Sequence, residues 1–150
     1  MPKDFDILLS GFSEAERKAF HQVGRPRDYT LHQTLVQEEE MGSSMYVIEL
    51  GEVSIWMKGV KLARVGAGAV LGASSLIEPH QRTASVMAED YVRALIFRRE
   101  DVLQFFKPRS PRVFQQFFFN SFRAHMSLVP RCNDVIVELE RQFRKDGVAG

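Results

Sequence analysis

Short hydrophobic segments separated by glycine turns fill the middle of this 150-residue chain and constrain its fold more than any other feature. The segments 45–48, 53–57 and 60–65 are apolar or alternate between apolar and polar residues, and a glycine follows each one. Lys58–Gly59 fits a tight hairpin turn, because glycine adopts positive φ without strain. The polar stretch 38–43 is interpreted as a further turn. Strands this short, with turns about every 8–12 residues, indicate a small barrel, roll or sandwich.

Helical patterns flank this strand region. Ser13 and Glu16 form the S-x-x-E pattern of a helix capping box, and apolar residues at helical spacing follow. Gly24 and Pro26 are predicted to end this first helix. The period of the hydrophobic pattern changes to two from Tyr29, which indicates the first strand.

The last third of the chain is predicted to be helical again. Pro111 suits the first turn of a helix on which phenylalanines recur at i, i+3, i+4 and i+8. These residues are Phe114, Phe117, Phe118 and Phe122. Such a face is typical of a core or of an interface with a partner or a second copy. Pro130 is expected to break or kink the run, and an amphipathic helix is predicted over 135–143.

Composition excludes several classes of protein. The 20 basic and 19 acidic residues give a net charge of +1, so no overall field attracts nucleic acid or anionic lipid. No apolar run approaches the ~20 residues that cross a bilayer, and the N-terminus is acidic where a signal peptide would be basic. The single cysteine, Cys132, cannot form an internal disulfide, which predicts a reducing, cytoplasmic setting.

Neither a metal site nor a catalytic site is predicted. The histidines are scattered and include no H-x-H pair of the kind that a metal-binding β-barrel uses. They are His21, His32, His80 and His125. No pattern indicates a Ser-His-Asp or Cys-His nucleophile or a pair of catalytic carboxylates, so we expect no enzyme.

The stretch 70–86 combines the residue types that bind a phosphate group. Gly72 allows a tight turn that points backbone N–H groups into one concavity, and a short helix after it adds further donors. Arg82 offers a bidentate, charge-assisted clamp for phosphate oxygens, and Thr83 adds a hydroxyl. Ser74 serves either the start of the helix or the ligand. The alternative interpretation of Arg82 is an ordinary surface arginine in a salt bridge.

The order of elements and several spaced motifs resemble the cyclic nucleotide-binding domain family. Its strand–glycine–strand signature is similar to MYVIELGEV at 45–53, and the entry to its phosphate-binding cassette is similar to GAVLG at 68–72. The closing Arg-Ser/Thr-Ala of that cassette is similar to QRTA at 81–84. The resemblance implies an α+β fold: an antiparallel β-roll or jelly roll (a double-stranded β-helix) with an N-terminal helix and C-terminal helices.

On this basis residues 1–150 are predicted to form one domain. Residues 1–23 would be the N-terminal helical part, 24–98 the β-roll with the cassette at about 66–86, and 99–150 the C-terminal helices. The chain resembles the effector domain of CRP/FNR-like regulators without their DNA-binding helix-turn-helix. Direct DNA binding is therefore not expected.

The resemblance also implies roles for individual residues. Arg82 would hold the cyclic phosphate of cyclic AMP or cyclic GMP, with support from backbone groups near Gly72 and Ser74 and from the Thr83 hydroxyl. The ribose-binding glutamate of the family is replaced by Ala73. Because a hydrogen bond to a charged group contributes about 1.5–3 kcal/mol, its loss corresponds to roughly ten- to a hundredfold in affinity.

Three interpretations stay open. The chain is a regulatory sensor that binds a cyclic nucleotide and signals through its C-terminal helices, or a degenerate domain that acts only through protein contacts or dimerisation. The third is a cyclic dinucleotide sensor, since removing the carboxylate at position 73 makes a more highly charged ligand less disfavoured. Leu128 and Val129 fall where the family supplies a base-capping group, and His32 and Glu39 replace two family glycines.

Overall fold

The computed structural model describes residues 4–126 and Arg141, with the side chains of 124–126 excepted. The helices are α1 (Asp4–Leu8), α2 (Glu14–His21), α3 (Ser74–Ile77), α4 (Arg99–Phe106) and α5 (Pro111–Met126). The strands are β1 (Arg25–Tyr29), β2 (Thr34–Val36), β3 (Met41–Gly42), β4 (Ser44–Leu50), β5 (Val53–Met57), β6 (Val60–Val65), β7 (Val70–Leu71), β8 (His80–Gln81), β9 (Ser85–Ala88) and β10 (Val92–Arg98).

The strands form two four-stranded antiparallel sheets and a two-stranded ribbon. The strand orders are β1-β10-β4-β7 in the first sheet and β2-β9-β5-β6 in the second, and β3 pairs with β8. Helices precede and follow these strands along the chain, and α3 lies between β7 and β8. The predicted α+β fold, an antiparallel roll with flanking helices, is thus confirmed.

Two apolar clusters hold these layers together. One joins the first sheet to the helices and is built around Phe20, Phe97, Phe105 and Phe117. The rings of Phe20 and Phe97 stack with centroids 4.9 Å apart. The other cluster joins the two sheets, with members on β2, β4, β5, β9 and β10. Strand β4 of the first sheet is therefore covered on both faces, which explains the unbroken apolar run 45–48.

Two local predictions are confirmed. The Ser13 hydroxyl accepts from the Glu16 amide at 3.1 Å, and the Glu16 carboxylate accepts from the Ser13 amide at 2.8 Å, which completes a capping box. Lys58 and Gly59 both have positive φ, 50° and 79°, at the turn between β5 and β6. A two-residue hairpin turn of this kind needs positive φ at both positions.

The start of the roll differs from the prediction. Helix α2 ends at His21, and β1 begins at Arg25 rather than Tyr29. Pro26 lies within β1, opposite Leu95 of β10. Because β1 is an edge strand, a residue without an N–H is tolerated there. The first four residues of β1 are all exposed, so the hydrophobic period could not reveal it.

The segment 38–43 is also more ordered than a simple turn. Its Met41 and Gly42 pair with Gln81 and His80, so the ribbon joins this segment to the phosphate-binding cassette. Helix α5 begins at Pro111, as predicted. The predictions for Cys132, Pro130 and the helix over 135–143 fall outside the described residues. Of the helices within the described part, none is long and apolar enough to cross a membrane.

Candidate functional site

A cavity of about 140 Å³ opens beside the turn that joins β7 to α3. Four of the five predicted site residues line it: Gly72, Ser74, Arg82 and Thr83. The remaining wall is mainly apolar and comes from both sheets, with Val36, Ile55, Leu71 and Val86. The structure therefore brings the cassette residues together around one space with polar groups on one side and an apolar floor.

Arg82 is held in this cavity by neutral oxygen atoms. Its Nη2 donates to the backbone carbonyl of Ser44 at 2.7 Å, and its Nη1 donates to the Ser75 hydroxyl at 3.2 Å. The guanidinium carbon also lies 5.9 Å from the centre of the Tyr46 ring. These two bonds use two of the five N–H groups of the guanidinium.

The charge of Arg82 has no ion-pair partner among residues 4–126. The side chain is half-buried, and this burial lowers the pKa of the guanidinium, while Tyr46 acts in the opposite direction. An arginine keeps its proton despite such a shift, so the cavity contains a positive charge that forms no ion pair with the side chains of residues 4–123.

Two glycines make room for the guanidinium. Gly72 has a φ of +75°, and a Cβ there would lie 2.5 Å from Arg82 Nη1 and 3.1 Å from the Ser44 carbonyl oxygen. A Cβ on Gly42 would overlap Arg82 Nε. Gly72 is thus required both by its left-handed backbone and by the close approach of the arginine.

The Ser75 hydroxyl supports the guanidinium of Arg82. Ser75 is fully buried, and its Oγ lies 2.6 Å from the Gly72 carbonyl oxygen and 3.0 Å from that of Ser44. One of these carbonyls accepts its single proton, and its oxygen accepts from Arg82 Nη1. Sequence reasoning missed Ser44 and Gly42 altogether, because they lie far from Arg82 along the chain. The glycine in an otherwise polar segment was the signal available for Gly42.

The remaining predicted residues occupy different positions. Ala73 is only 6% exposed, packs in the cluster between the first sheet and the helices, and is absent from the cavity wall. Ser74 is exposed, and its Oγ lies 3.0 Å from His80 Nε2. Thr83 is exposed in the loop before β9.

A second cavity, of about 310 Å³, lies between the cassette and α5. It shares Ser74 and His80 with the first cavity, and α5 contributes Phe118, Ser121 and Phe122. The C-terminal helix α5 therefore lines a cavity that borders the cassette.

The phenylalanine face of α5 divides into a part that packs in the core, as one of the two predicted alternatives, and a part that is exposed. Phe117 is 1% exposed and Phe114 is partly buried against the same cluster, so neither is available to a partner. Phe118, Phe119 and Phe122 are instead exposed by 44%, 67% and 64%. The spacing i, i+3, i+4, i+8 spans a wide arc of the helix, and only part of this arc reaches the core.

Two further observations concern the turns and metal binding. His32 and Glu39 have φ of 72° and 71°, a backbone conformation that favours glycine. These are the two positions at which the resemblance implies glycines. Within the described residues, no group of three or more histidine, cysteine or acidic side chains could hold a metal ion.

Comparison with known proteins gives one family. The sequence model of the cyclic nucleotide-binding domain family matches residues 26–109. A curated relative, the human potassium/sodium hyperpolarization-activated cyclic nucleotide-gated channel 4, is 36% identical over 72 residues. That match covers 48% of this chain but only 6% of the channel's length.

Solved structures share the fold at lower identity. A cyclic nucleotide-binding domain from Methylobacillus flagellatus superposes with a TM-score of 0.77 at 23% identity, covering 89% of this chain and 80% of that one. The N-terminal domain of a transcriptional regulator from Streptomyces coelicolor A3(2) gives a TM-score of 0.72 at 22% identity, covering 89% and 96%.

Proposed function

The chain belongs to the cyclic nucleotide-binding domain family, and on that premise we propose that it is a non-catalytic sensor that binds a cyclic nucleotide through Arg82. The proposal covers residues 1–150 as one domain in the cytoplasm. Its ligand is a small molecule with a phosphate group, with cyclic AMP and cyclic GMP as the first candidates.

The observation that carries this proposal is that Arg82 forms no ion pair within the described residues 4–126. A half-buried guanidinium would ordinarily be neutralised by a carboxylate, because burial of an isolated charge is unfavourable. Here the partners are the neutral Ser44 carbonyl and Ser75 hydroxyl. An anionic ligand that enters the cavity would supply the missing negative charge and could accept two parallel N–H bonds.

Backbone groups at the turn would complete the phosphate site. The amides of Ser75 and Leu76 already donate to the carbonyls of Gly72 and Ala73 at 3.1 Å each. A phosphate would therefore use the amides of Ala73 and Ser74, together with the Thr83 hydroxyl. The short helix therefore offers fewer free N–H donors to a ligand than the sequence predicts.

Position 73 affects which ligand binds best. Ala73 has no acceptor for a ribose hydroxyl, and its side chain packs in the core. A cyclic dinucleotide is the alternative candidate ligand to a cyclic mononucleotide, because no carboxylate at position 73 repels its second phosphate. The small volume of the Arg82 cavity favours a single cyclic phosphate group within it, with the rest of the ligand in the adjoining cavity.

Signalling would proceed through α5. Phe118, Ser121 and Phe122 line the cavity that shares Ser74 and His80 with the phosphate site. A ligand that contacts these side chains in one helix arrangement and not in another would shift the population of the two. The output would then be a protein partner or a second copy that contacts the C-terminal helices.

A thermal-shift screen tests ligand binding across classes. A ligand that binds only the native state raises the melting temperature by mass action. We expect cyclic AMP, cyclic GMP or a cyclic dinucleotide to raise the melting temperature of the wild type and to have no effect on Arg82→Ala. If no compound in the panel shifts the wild type, the sensor function is wrong.

A second candidate function is a protein-interaction module that binds no cyclic nucleotide. The exposed side chains of Phe118, Phe119 and Phe122 favour it, because three adjacent aromatic residues on one helix form an apolar patch. Sedimentation analysis of the wild type and of the double variant Phe119→Ser/Phe122→Ser distinguishes the interaction module from the sensor. Nucleotide-independent self-association that the double variant abolishes would support the interaction module.

A further inference from the structure

Ser74 and His80 form a hydrogen-bonded pair between the two cavities. Ser74 Oγ lies 3.0 Å from His80 Nε2, and both side chains line the Arg82 cavity as well as the cavity beside α5. The pair is therefore part of the wall that the two cavities share. His80 belongs to β8, and the ribbon with β3 holds its backbone in place.

The contacts of His80 determine where the proton of Ser74 lies. His80 Nδ1 is 2.8 Å from the backbone carbonyl oxygen of Gln81. A carbonyl oxygen only accepts hydrogen bonds, so Nδ1 carries the imidazole proton. In the neutral ring Nε2 is then an acceptor, and the Ser74 hydroxyl donates its single proton to it.

A Ser74 oxygen in this state has only lone pairs to offer a ligand. Phosphate oxygens are acceptors too, so Ser74 is poorly matched to the phosphate itself. It is well matched to a ligand hydroxyl, which can donate to it. Arg82, which lines the same cavity, offers only donors. The cavity therefore presents donors for an anion next to an acceptor for a hydroxyl group.

We propose, on the basis of the proposed function, that the Ser74–His80 pair recognises the ribose 2′-hydroxyl of a cyclic ribonucleotide in place of a carboxylate at position 73. His80 is the positioning residue, since it orients the Ser74 hydroxyl by taking its proton. Ser74 is the residue in contact with the sugar. Ser74 directly follows Ala73, whose side chain packs in the core and offers no acceptor.

Competition titrations with cyclic AMP and 2′-deoxy cyclic AMP test this pair. A neutral hydrogen bond contributes about 0.5–1.5 kcal/mol, so the wild type should prefer cyclic AMP by roughly two- to twelvefold. Ser74→Ala should bind both compounds with equal affinity. Thr83→Val is the comparison variant: it removes a hydroxyl that the phosphate would use. It should therefore weaken the binding of both compounds equally and leave the preference ratio unchanged.

The outcomes separate this inference from the proposed function. Binding of cyclic AMP with no preference over the deoxy compound would overturn the role of the pair and leave the sensor function intact. Failure of cyclic AMP, cyclic GMP and their 2′-deoxy forms to bind would overturn the role of the pair, and failure of the whole thermal-shift panel would overturn the sensor function as well. Full preference in Ser74→Ala, or an imidazole whose ¹⁵N spectrum places the proton on Nε2, would also contradict the inference. The expected spectrum has the proton on Nδ1.

Discussion

The Arg82 guanidinium donates to the Ser44 carbonyl at 2.7 Å across 38 residues of sequence. This bond joins the cassette to the start of β4 and fixes the direction of the charge before a ligand arrives. A preorganised donor loses less entropy on binding than a mobile side chain does. The contact therefore connects the topology of the roll to the affinity of the site.

Gly72→Ala should destabilise the protein and weaken ligand binding. Alanine at positive φ costs about 1–2 kcal/mol, and the added Cβ would displace Arg82 as well. Gly59→Ala is the matched control, because Gly59 has a φ of +79° but nothing within 4 Å of the added carbon. Urea unfolding and ligand titration measure the two effects.

The comparison of these variants separates strain from crowding. Both should lose stability, but Gly59→Ala should retain the ligand affinity of the wild type. Equal stability losses together with unchanged affinity in Gly72→Ala would contradict the close approach of Gly72 and Arg82.

Asn120→Leu should lower the free energy of unfolding by about 1–3 kcal/mol, the cost of unsatisfied buried polar groups. Asn120 is fully buried, and its Nδ2 donates to the carbonyls of Leu8 at 2.9 Å and Ser10 at 2.8 Å. These bonds tie α1 to α5. Gln116→Ala removes only the exposed donor to Asn120 Oδ1 and should cost less. A smaller loss in Asn120→Leu than in Gln116→Ala would rule out this role.

Glu16 should make the stability of the N-terminal part depend on pH. The Ser13 amide, hydrogen-bonded to the carboxylate, lowers the pKa of Glu16 below the ordinary 4.5. A lowered folded pKa means that the carboxylate stabilises the native state above about pH 4.5 and that this contribution is lost as the pH falls through the folded value. Urea unfolding of the wild type and Glu16→Gln should show a difference at pH 7 that shrinks at low pH. A stability difference between the two proteins that does not change with pH would contradict the role of the Glu16 carboxylate.

Much of the fold could be predicted because its local signals agree with its tertiary structure. The positive φ of Gly59 and the capping box at Ser13 depend only on neighbouring residues. Strand β1 could not be predicted in this way, because its first four side chains are exposed and carry no hydrophobic period. The ribbon of β3 and β8 depends on pairing between segments about 40 residues apart, which no local pattern reveals.

The candidate site likewise has residues that the sequence predicts and residues that only the tertiary structure reveals. Gly72 and Arg82 belong to one sequence motif, so their proximity could be anticipated from the cassette. Ser44 and Gly42 approach Arg82 only through the β3–β8 ribbon and the start of β4. The separation of Phe117 from Phe118 likewise depends on where α5 meets the core, which the spacing alone does not determine.

Calorimetric titration of cyclic AMP into the wild type and Arg82→Ala, with Arg64→Ala as the control, tests the central claim most directly. Arg64→Ala removes the same charge from an exposed pair with Glu52, outside the cavity wall. The account predicts that the wild type and Arg64→Ala bind equally and that Arg82→Ala loses about a hundredfold or more, since two bonds between charged groups are removed. Binding of cyclic AMP to Arg82→Ala with the affinity of the wild type would contradict it.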